Sequence, residues 1–109
     1  PPLPEEPRAR HIARHLLAEP AASATLGELA AAERVSARTV QRAFLKETGL
    51  SFSQWRARCR LSAGAERLRE GASVTQAARA CGYTPSTFIA RYRAEFGITP
   101  GREAHQLRA

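Results

Sequence analysis

Three side chains that can hydrogen-bond to the edges of DNA bases lie at i, i+3 and i+4 in one predicted helix. They are Arg38, Gln41 and Arg42, with Thr39 beside them. Arginine pairs with O6 and N7 of guanine, and glutamine pairs with N6 and N7 of adenine, each through two hydrogen bonds. Residues at this spacing share one helix face. The pattern predicts a helix that reads bases in a major groove, whereas a solvated polar face is the alternative for a lone helix.

The segment that carries these residues is repeated later in the chain, and the two copies align without a gap. Aligned pairs include Thr25 and Ser73, Thr39 and Thr87, Phe44 and Tyr92, Gly49 and Gly97. Two copies indicate a duplicated module rather than a solenoid, which needs about three repeats or more. The second copy presents Ser86, Thr87 and Ala90 where the first has its polar readers. Such a helix can contact phosphates and thymine methyl groups, so we expect it to contribute affinity and shape recognition more than sequence discrimination.

Donors for phosphate oxygens are predicted at helix starts and on helix surfaces. Exposed N–H groups and the dipole at a helix N-terminus attract anions, and Lys and Arg add charge. The candidate phosphate contacts are Ser36, Lys46, Ser51, Thr84, Arg91, Arg93 and Thr99. Arg56, Arg58 and Arg60 are weaker candidates, because an ion pair with Glu66 or Glu70 is an equally good interpretation.

The charge balance favours a polyanionic partner. Seventeen basic residues against ten acidic ones give a net charge of +7. Residues 1–24 hold three Arg and three Glu, so the whole excess lies from Thr25 onward, on the duplicated part. A basic surface that only maintains solubility is the alternative.

Other features of the composition limit the location and the class of the protein. Two isolated cysteines, Cys59 and Cys81, suit a reducing cytoplasm, and no apolar run reaches the roughly 18 residues of a membrane span. The chain contains no Met, from which we expect that it is a C-terminal piece of a longer protein.

Nothing in the sequence is typical of a catalytic site. No Ser/His/Asp or Cys/His grouping and no phosphate-cradling glycine loop occurs, and Asp is absent. His11 and His15 have the i, i+4 spacing of metal ligands, but without a carboxylate or cysteine beside them we interpret both as surface residues. Trp55 is interpreted as a core residue. We therefore expect no enzymatic activity, no cofactor and no metal.

Capping signals divide the chain into helices. Capping boxes begin at Thr25, Ser51 and Ser73, and a proline at the first helical position follows Thr84 and Thr99. The predicted helices are Pro7–Ala18, Leu26–Glu33, Ala37–Thr48, Phe52–Glu70, Val74–Ala80, Pro85–Phe96 and a short one from Pro100. We predict an all-α fold of two homeodomain-like helix-turn-helix subdomains in tandem, joined by a long linker helix. The predicted divisions are 1–24, 25–51, 52–71 and 72–109.

Two residues complicate this interpretation. Arg34 stands where the second unit has Gly82, and a left-handed arginine would be strained, so we expect the first turn to differ in shape. Gly64 lies inside the linker helix, which indicates either close packing or a softer linker. A helix of about 19 residues is roughly 28 Å long, near the roughly 34 Å of one DNA turn. The linker is therefore expected to place the two recognition helices in successive major grooves.

Taken in order along the chain, these motifs resemble the DNA-binding domain of the AraC/XylS family of bacterial transcription regulators. The resemblance rests on residues 35–44 and 47–52, on Arg60-Leu61, on Cys81-Gly82-Tyr83 and on residues 96–100. The chain departs from the family in having one residue fewer between Tyr83 and Phe88, and in Gly64 and Glu103.

The resemblance implies sequence-specific binding to double-stranded promoter DNA, with base contacts at Arg38, Gln41 and Arg42. In the second unit it implies base contacts at Ser86, Thr87 and Ala90. It further implies RNA polymerase as a partner, a separate N-terminal effector or dimerisation domain, and a cytoplasmic, nucleoid-associated location. The alternative is a degenerate helix-turn-helix module that docks on RNA polymerase or another regulator. An RNA-binding helical domain is a third hypothesis, disfavoured because few aromatics are available for stacking.

Overall fold

The computed structural model describes residues 1–108, which form seven α-helices and no strand. The helices are α1 (Pro7–Ala18), α2 (Leu26–Ala32), α3 (Ala37–Thr48), α4 (Phe52–Arg69), α5 (Val74–Ala80), α6 (Pro85–Phe96) and α7 (Pro100–Arg108). The all-α prediction is confirmed, and two helices end one residue earlier than predicted, at Ala32 and Arg69. Within residues 1–108, no helix is both long and apolar enough to cross a membrane.

The predicted capping boxes begin three of these helices. At α2 the Thr25 hydroxyl accepts the Glu28 N–H at 3.1 Å, and the Glu28 carboxylate accepts the Thr25 N–H at 3.0 Å. Ser51 at α4 and Ser73 at α5 make the same reciprocal pair with a glutamine three residues later. Each box satisfies N–H groups that a helix start leaves without an intrahelical acceptor.

The helices form two compact units, Pro1–Cys59 and the unit that begins at Arg60, so the boundary falls within α4. In the first unit, Phe44 of α3 meets the Trp55 ring edge to face at 5.3 Å between centroids. Trp55 is fully buried, as predicted, and its indole N–H donates to the Pro2 carbonyl at 2.7 Å. The N-terminal residues are thereby fastened to the core of this unit.

The second unit has a core of its own, built around α6. Phe88 and Tyr92 of this helix are buried together with Leu61 and Leu68 of α4. The Tyr92 hydroxyl donates to the Glu103 carboxylate and ties α7 to α6. Burial, followed by the neighbouring carboxylate, raises the pKa of Tyr92 above its ordinary value.

The two helix-turn-helix turns have the same shape. Arg34 has φ +59° and Gly82 has φ +86°, and the next residue in each turn donates its N–H to the same relative carbonyl. These bonds are Val35 to Ala30 at 3.1 Å and Tyr83 to Ala78 at 2.9 Å. The expectation that the first turn differs is therefore wrong, because its hydrogen bond and the packing of Val35 outweigh the strain at Arg34.

Gly64 is explained by close packing. A Cβ at this position would lie 2.7 Å from Cζ of Phe88 and 3.3 Å from Sγ of Cys81. In the first unit, the repeat aligns Leu16 with Gly64 and Val40 with Phe88, and both of these residues are buried. Phe88 thus takes the volume that Gly64 leaves, whereas the first unit has two mid-sized side chains at the aligned positions. The hypothesis of a softer linker is not needed.

We predict that Gly64→Ala lowers the free energy of unfolding by about 1–2 kcal/mol, because overpacking a core outweighs the helix-propensity gain of alanine. Gly27→Ala is the matched control, since its Cβ would meet only Thr25 Oγ1, at 3.8 Å, and we expect it to be neutral or mildly stabilising. Urea denaturation measures both. A Gly64→Ala protein as stable as the unmodified chain would contradict this account.

We predict that Arg34→Gly raises the free energy of unfolding by about 0.5–1 kcal/mol, because the relief of left-handed strain is only partly offset by the greater freedom of glycine in the unfolded chain. Gly82→Ala, the reciprocal change in the second turn, should destabilise by about 1 kcal/mol. Thermal and urea unfolding of the two variants test the pair. Loss of stability in Arg34→Gly would show that the arginine side chain contributes more than its backbone strain costs.

Candidate nucleic-acid interface

Helix α3 exposes two arginines on the face opposite its core contacts. Val40 and Phe44 are fully buried, and Arg38 and Arg42 are exposed on the other side of the helix. Ser36 caps the helix by accepting the Thr39 N–H at 3.1 Å. With only one turn between them, the two guanidinium groups can address neighbouring base pairs in one groove.

Two further candidates near the start of α3 are exposed but engaged in its cap. The hydroxyls of Ser36 and Thr39 lie 3.0 Å apart and share a hydrogen bond. Lys46 lies exposed in the last turn of the same helix. The cap leaves the N–H groups of the first turn directed out of the helix, which is the arrangement that holds a phosphate.

Gln41 has a structural partner that its sequence position did not reveal. Its side-chain oxygen accepts the N–H of Phe52 at 2.6 Å, and the residue is half-buried. Phe52 is the first residue of α4, so this N–H has no acceptor within its own helix. Bidentate pairing with adenine uses the oxygen and the nitrogen of the amide. The oxygen has a second lone pair and the nitrogen takes no part in the cap, so the Phe52 bond orients the amide without excluding such pairing.

An acidic rim borders the recognition face of α3. A shallow cavity beside the helix is lined by Glu6, Glu47, Arg42 and Lys46, with Thr39 and Ala43. The Glu6 N–H donates to the Glu47 carboxylate at 3.1 Å. The pKa of Glu6 is lowered chiefly by the Ala9 N–H that it accepts. Sequence analysis missed this rim, because Glu6 precedes α1 and is distant from α3 along the chain.

Helix α6 repeats the geometry of α3 with different side chains. Phe88 and Tyr92 are buried, Ser86 and Ala90 are exposed, and Thr87 is half-buried. Ser86 and Thr87 therefore lie in the first turn of α6, and Ala90 lies on its outer side one turn later. The shorter spacing before Phe88 leaves the turn intact.

The hydroxyl groups at the start of α6 mainly bond to one another. Thr84 caps the helix by accepting the Thr87 N–H at 3.3 Å, and its hydroxyl donates to Thr87 Oγ1 at 3.0 Å. Ser86 Oγ lies 3.4 Å from Thr84 Oγ1. Pro85 occupies the first helical position and offers no N–H. Compared with α3, this helix start therefore has one N–H fewer for an anion.

One large apolar side chain stands exposed among these residues. Ile89 is 41% exposed and lies between buried Phe88 and exposed Ala90. Sequence analysis did not single it out, although the repeat could have revealed it. In the aligned copies, Ile89 corresponds to Gln41, and Pro100 corresponds to Phe52. Since proline has no N–H, the second unit has no counterpart of the Gln41 cap.

The basic side chains divide into exposed and anchored groups. Arg91 and Arg93 are both exposed. Arg91 and Arg60 also lie over the Tyr83 ring, at 5.5 and 5.4 Å from its centroid. Arg56 donates to the carbonyls of Ala22 and Ala24 and lies over the Phe52 ring. This makes a structural role the better account of Arg56 than a phosphate contact.

The remaining phosphate candidates are cap residues. Ser51 accepts the Gln54 N–H at 3.1 Å at the start of α4, and Thr99 accepts the Arg102 N–H at 3.3 Å before α7. Their hydroxyls are therefore already engaged, and an anion would find mainly backbone N–H groups at these helix starts.

One of the two histidines of α1 lies against a carboxylate. His11 Nδ1 lies 2.8 Å from a Glu33 carboxylate oxygen, so the fold supplies a carboxylate that the local sequence did not show. Even so, residues 1–108 contain no group of three or more His, Cys, Asp or Glu side chains able to hold a metal ion.

A family model described as a helix-turn-helix domain matches residues 29–106. The chain is 42% identical over 101 residues to the HTH-type transcriptional regulator RipA of Corynebacterium glutamicum, covering 92% of this chain and 30% of that protein. It is 34% identical over 107 residues to NimR of Escherichia coli, covering 97% of this chain and 39% of NimR. The chain thus spans about a third of the length of these relatives.

Solved structures share the fold over almost the whole chain. An AraC-type regulator from Chromobacterium violaceum has a TM-score of 0.84 and 26% identity, covering 94% of this chain and 93% of that one. The DNA-binding domain of AdpA, a global transcriptional factor solved in complex with a target DNA, has a TM-score of 0.83 and 27% identity. That comparison covers 93% of both chains.

Two substitutions of Gln41 distinguish its role in capping α4 from a role in base reading. Gln41→Ala leaves the Phe52 N–H without its acceptor and should lower the free energy of unfolding by about 1 kcal/mol. Gln41→Glu keeps an oxygen for the cap and should preserve stability, although it cannot donate to adenine N7. Urea denaturation tests the cap, and a Gln41→Ala protein of unchanged stability would refute it. If Gln41→Glu changes sequence preference at full stability, the amide also reads DNA.

Proposed function

The chain belongs to the AraC-type family of helix-turn-helix transcription regulators, and from this premise we propose that it binds double-stranded DNA at specific sequences through α3 and α6. The observation that carries the proposal is the pair of exposed arginines, Arg38 and Arg42, one turn apart on α3 opposite its buried face. The net charge of +7 supplies the attraction to a polyanion.

In the first unit, Arg38 and Arg42 are the proposed base readers. Both guanidinium groups can reach O6 and N7 of guanine from a helix in the major groove. Thr39 contributes through its methyl group or its hydroxyl. Gln41 is proposed as a third reader, whose amide is oriented by its bond to Phe52 and keeps a second oxygen lone pair and its N–H groups for adenine.

Phosphate contacts would fix the register of each unit on the duplex. In the first unit we propose the start of α3 at Ser36, the side chain of Lys46 and the start of α4 at Ser51. In the second we propose Arg91, Arg93 and the helix starts at Thr84 and Thr99. Because Thr84 and Thr99 precede prolines, each of these two starts has one backbone N–H fewer for a phosphate, so neighbouring cations contribute more there.

The second unit presents fewer polar side chains for base contacts than the first. Its start offers Ser86, Thr87 and Ala90, and two of these three groups are near or within the Thr84 cap. We propose that this unit contributes affinity and recognition of DNA shape, with direct readout concentrated in the first unit.

The partners of the full-length protein are proposed mainly from its relatives. The names of the relatives describe transcriptional regulators, and from this we propose a role in promoter regulation in the bacterial cytoplasm, at the nucleoid. A contact with RNA polymerase and a separate effector or dimerisation domain follow from the family resemblance. The exposed apolar pair Phe96 and Leu107, beside Ile98, is the surface of the second unit that offers a protein contact.

Docking on a protein without reading DNA is the alternative function. It is favoured by that apolar pair and by the shorter spacing before Phe88 and the weak reader of the second unit, whereas the family match and the exposed arginines favour DNA. A catalytic function has no support in the site, whose side chains are arginines, capping hydroxyls and apolar groups. We therefore place DNA binding first.

The proposed function is tested with a duplex that the chain itself selects from a random library. We expect Arg38→Ala and Arg42→Ala each to weaken binding to this duplex about tenfold or more, since a bidentate guanine contact is worth about 1–3 kcal/mol. Binding to a scrambled duplex should change much less. Fluorescence anisotropy at physiological salt measures both.

The matched control is Arg14→Ala, which removes the same charge from an exposed position on α1. It should weaken binding to both duplexes slightly and equally, by the loss of one charge. Equal affinity of the unmodified chain for selected and scrambled duplexes would refute direct readout. Loss of preference in Arg14→Ala would show that total charge, rather than position on α3, governs binding.

A further inference from the structure

Ile89 occupies an unusual place on the second recognition helix. It is 41% exposed, three residues after Ser86 and four before Arg93, so the three share one flank of α6. Exposed Ala90 lies beside it. A large apolar group in this position belongs neither to the core of the unit nor to its charged surface.

The repeat excludes a capping role for this residue. In the first unit the corresponding Gln41 accepts the N–H of Phe52, the first residue of α4. The residue corresponding to Phe52 is Pro100, the first residue of α7, which has no N–H. The second unit therefore needs no amide at position 89, and the side chain there is released from the structural task that Gln41 performs.

The polar groups next to Ile89 are already engaged with each other. The Thr84 hydroxyl accepts the Thr87 N–H and donates to the Thr87 hydroxyl, with Ser86 Oγ at 3.4 Å. The outward side chains at 89 and 90 are apolar. Among the groups that base pairs present in the major groove, the 5-methyl of thymine is the one that matches an apolar side chain.

We infer that Ile89 is a specificity-determining residue that contacts the 5-methyl group of thymine in the part of the duplex bound by α6. The inference rests on the proposed function and deepens it, because it assigns direct readout to a helix whose predicted readers are weak. The base pair preferred at this position is then an A·T pair whose thymine lies on the strand nearest Ile89. It also implies discrimination against uracil, which forms the same base pair and lacks the methyl.

The test replaces thymine by deoxyuridine, which removes the methyl group and leaves the base-pairing hydrogen bonds unchanged. The unmodified chain first selects a duplex from a random library, and each thymine of this duplex is then replaced singly. We expect binding to weaken about fourfold at one or two thymines, the worth of one buried methyl group. Fluorescence anisotropy at fixed salt gives the affinities.

Variants of the protein then identify the side chain that senses the methyl. Ile89→Ala should bind the thymine and deoxyuridine duplexes equally at those positions. Ile89→Gln, which copies Gln41, should also lose the difference. Leu17→Ala is the matched control, because Leu17 is 42% exposed on α1, outside both recognition helices, and it should keep the full fourfold difference. Circular dichroism melting verifies that each variant is folded.

The possible outcomes distinguish a failure of this inference from a failure of the proposed function. A chain that selects a sequence but tolerates deoxyuridine everywhere, or selects no thymine, overturns the role of Ile89 and leaves DNA reading intact. So does an Ile89→Ala protein that retains the fourfold difference. If the selection enriches no sequence, the proposed function fails and the inference fails with it. Should Ile89→Ala not fold, the methyl scan with the unmodified chain and Ile89→Gln decide.

Discussion

The two recognition helices are each anchored by a pair of buried side chains one turn apart, and the rest of the interface depends on this anchoring. On α3 the pair is Val40 and Phe44, and on α6 it is Phe88 and Tyr92. Because an α-helix turns through about 100° per residue, burying two positions on one side fixes which residues face outward. The outward direction of Arg38 is therefore a consequence of core packing and requires no contact of its own.

The two units keep this geometry although their cores differ in composition. Substitutions occur in pairs that compensate each other. Leu16 and Val40 of the first unit align with Gly64 and Phe88 of the second, where the absence of a side chain at Gly64 makes room for the larger ring of Phe88. The Gln41 cap also differs at both of its positions. In the first unit the amide of Gln41 accepts the N–H of Phe52. In the second unit the aligned residues are Ile89, which has no amide, and Pro100, which has no N–H. Close-packed interiors tolerate such joint changes better than single ones.

Polar side chains near the helix starts perform structural tasks before any ligand arrives. The hydroxyls of Ser36, Ser51, Thr84 and Thr99 each accept an N–H three residues later. A cap orders the first turn and so holds the neighbouring N–H groups in place. The exposed arginines are different, because no structural hydrogen bond within the described residues determines where Arg38 and Arg42 stand. Their placement comes from the helix alone, which leaves their guanidinium groups available for a base edge.

The sequence by itself determined the helices and most of their limits, because capping residues, prolines and glycines act locally, within a turn of the residues they affect. It also determined which face of α3 carries Arg38 and Arg42, through the period of the buried positions. The tertiary structure alone decided what depends on residues distant in the chain. The Gln41 cap joins positions 41 and 52, the Gly64 contact joins α4 to α6, and Glu6 reaches the rim of α3. Arg34 adopts the conformation of Gly82 because the shared turn must form the same hydrogen bond, a requirement stronger than its local preference.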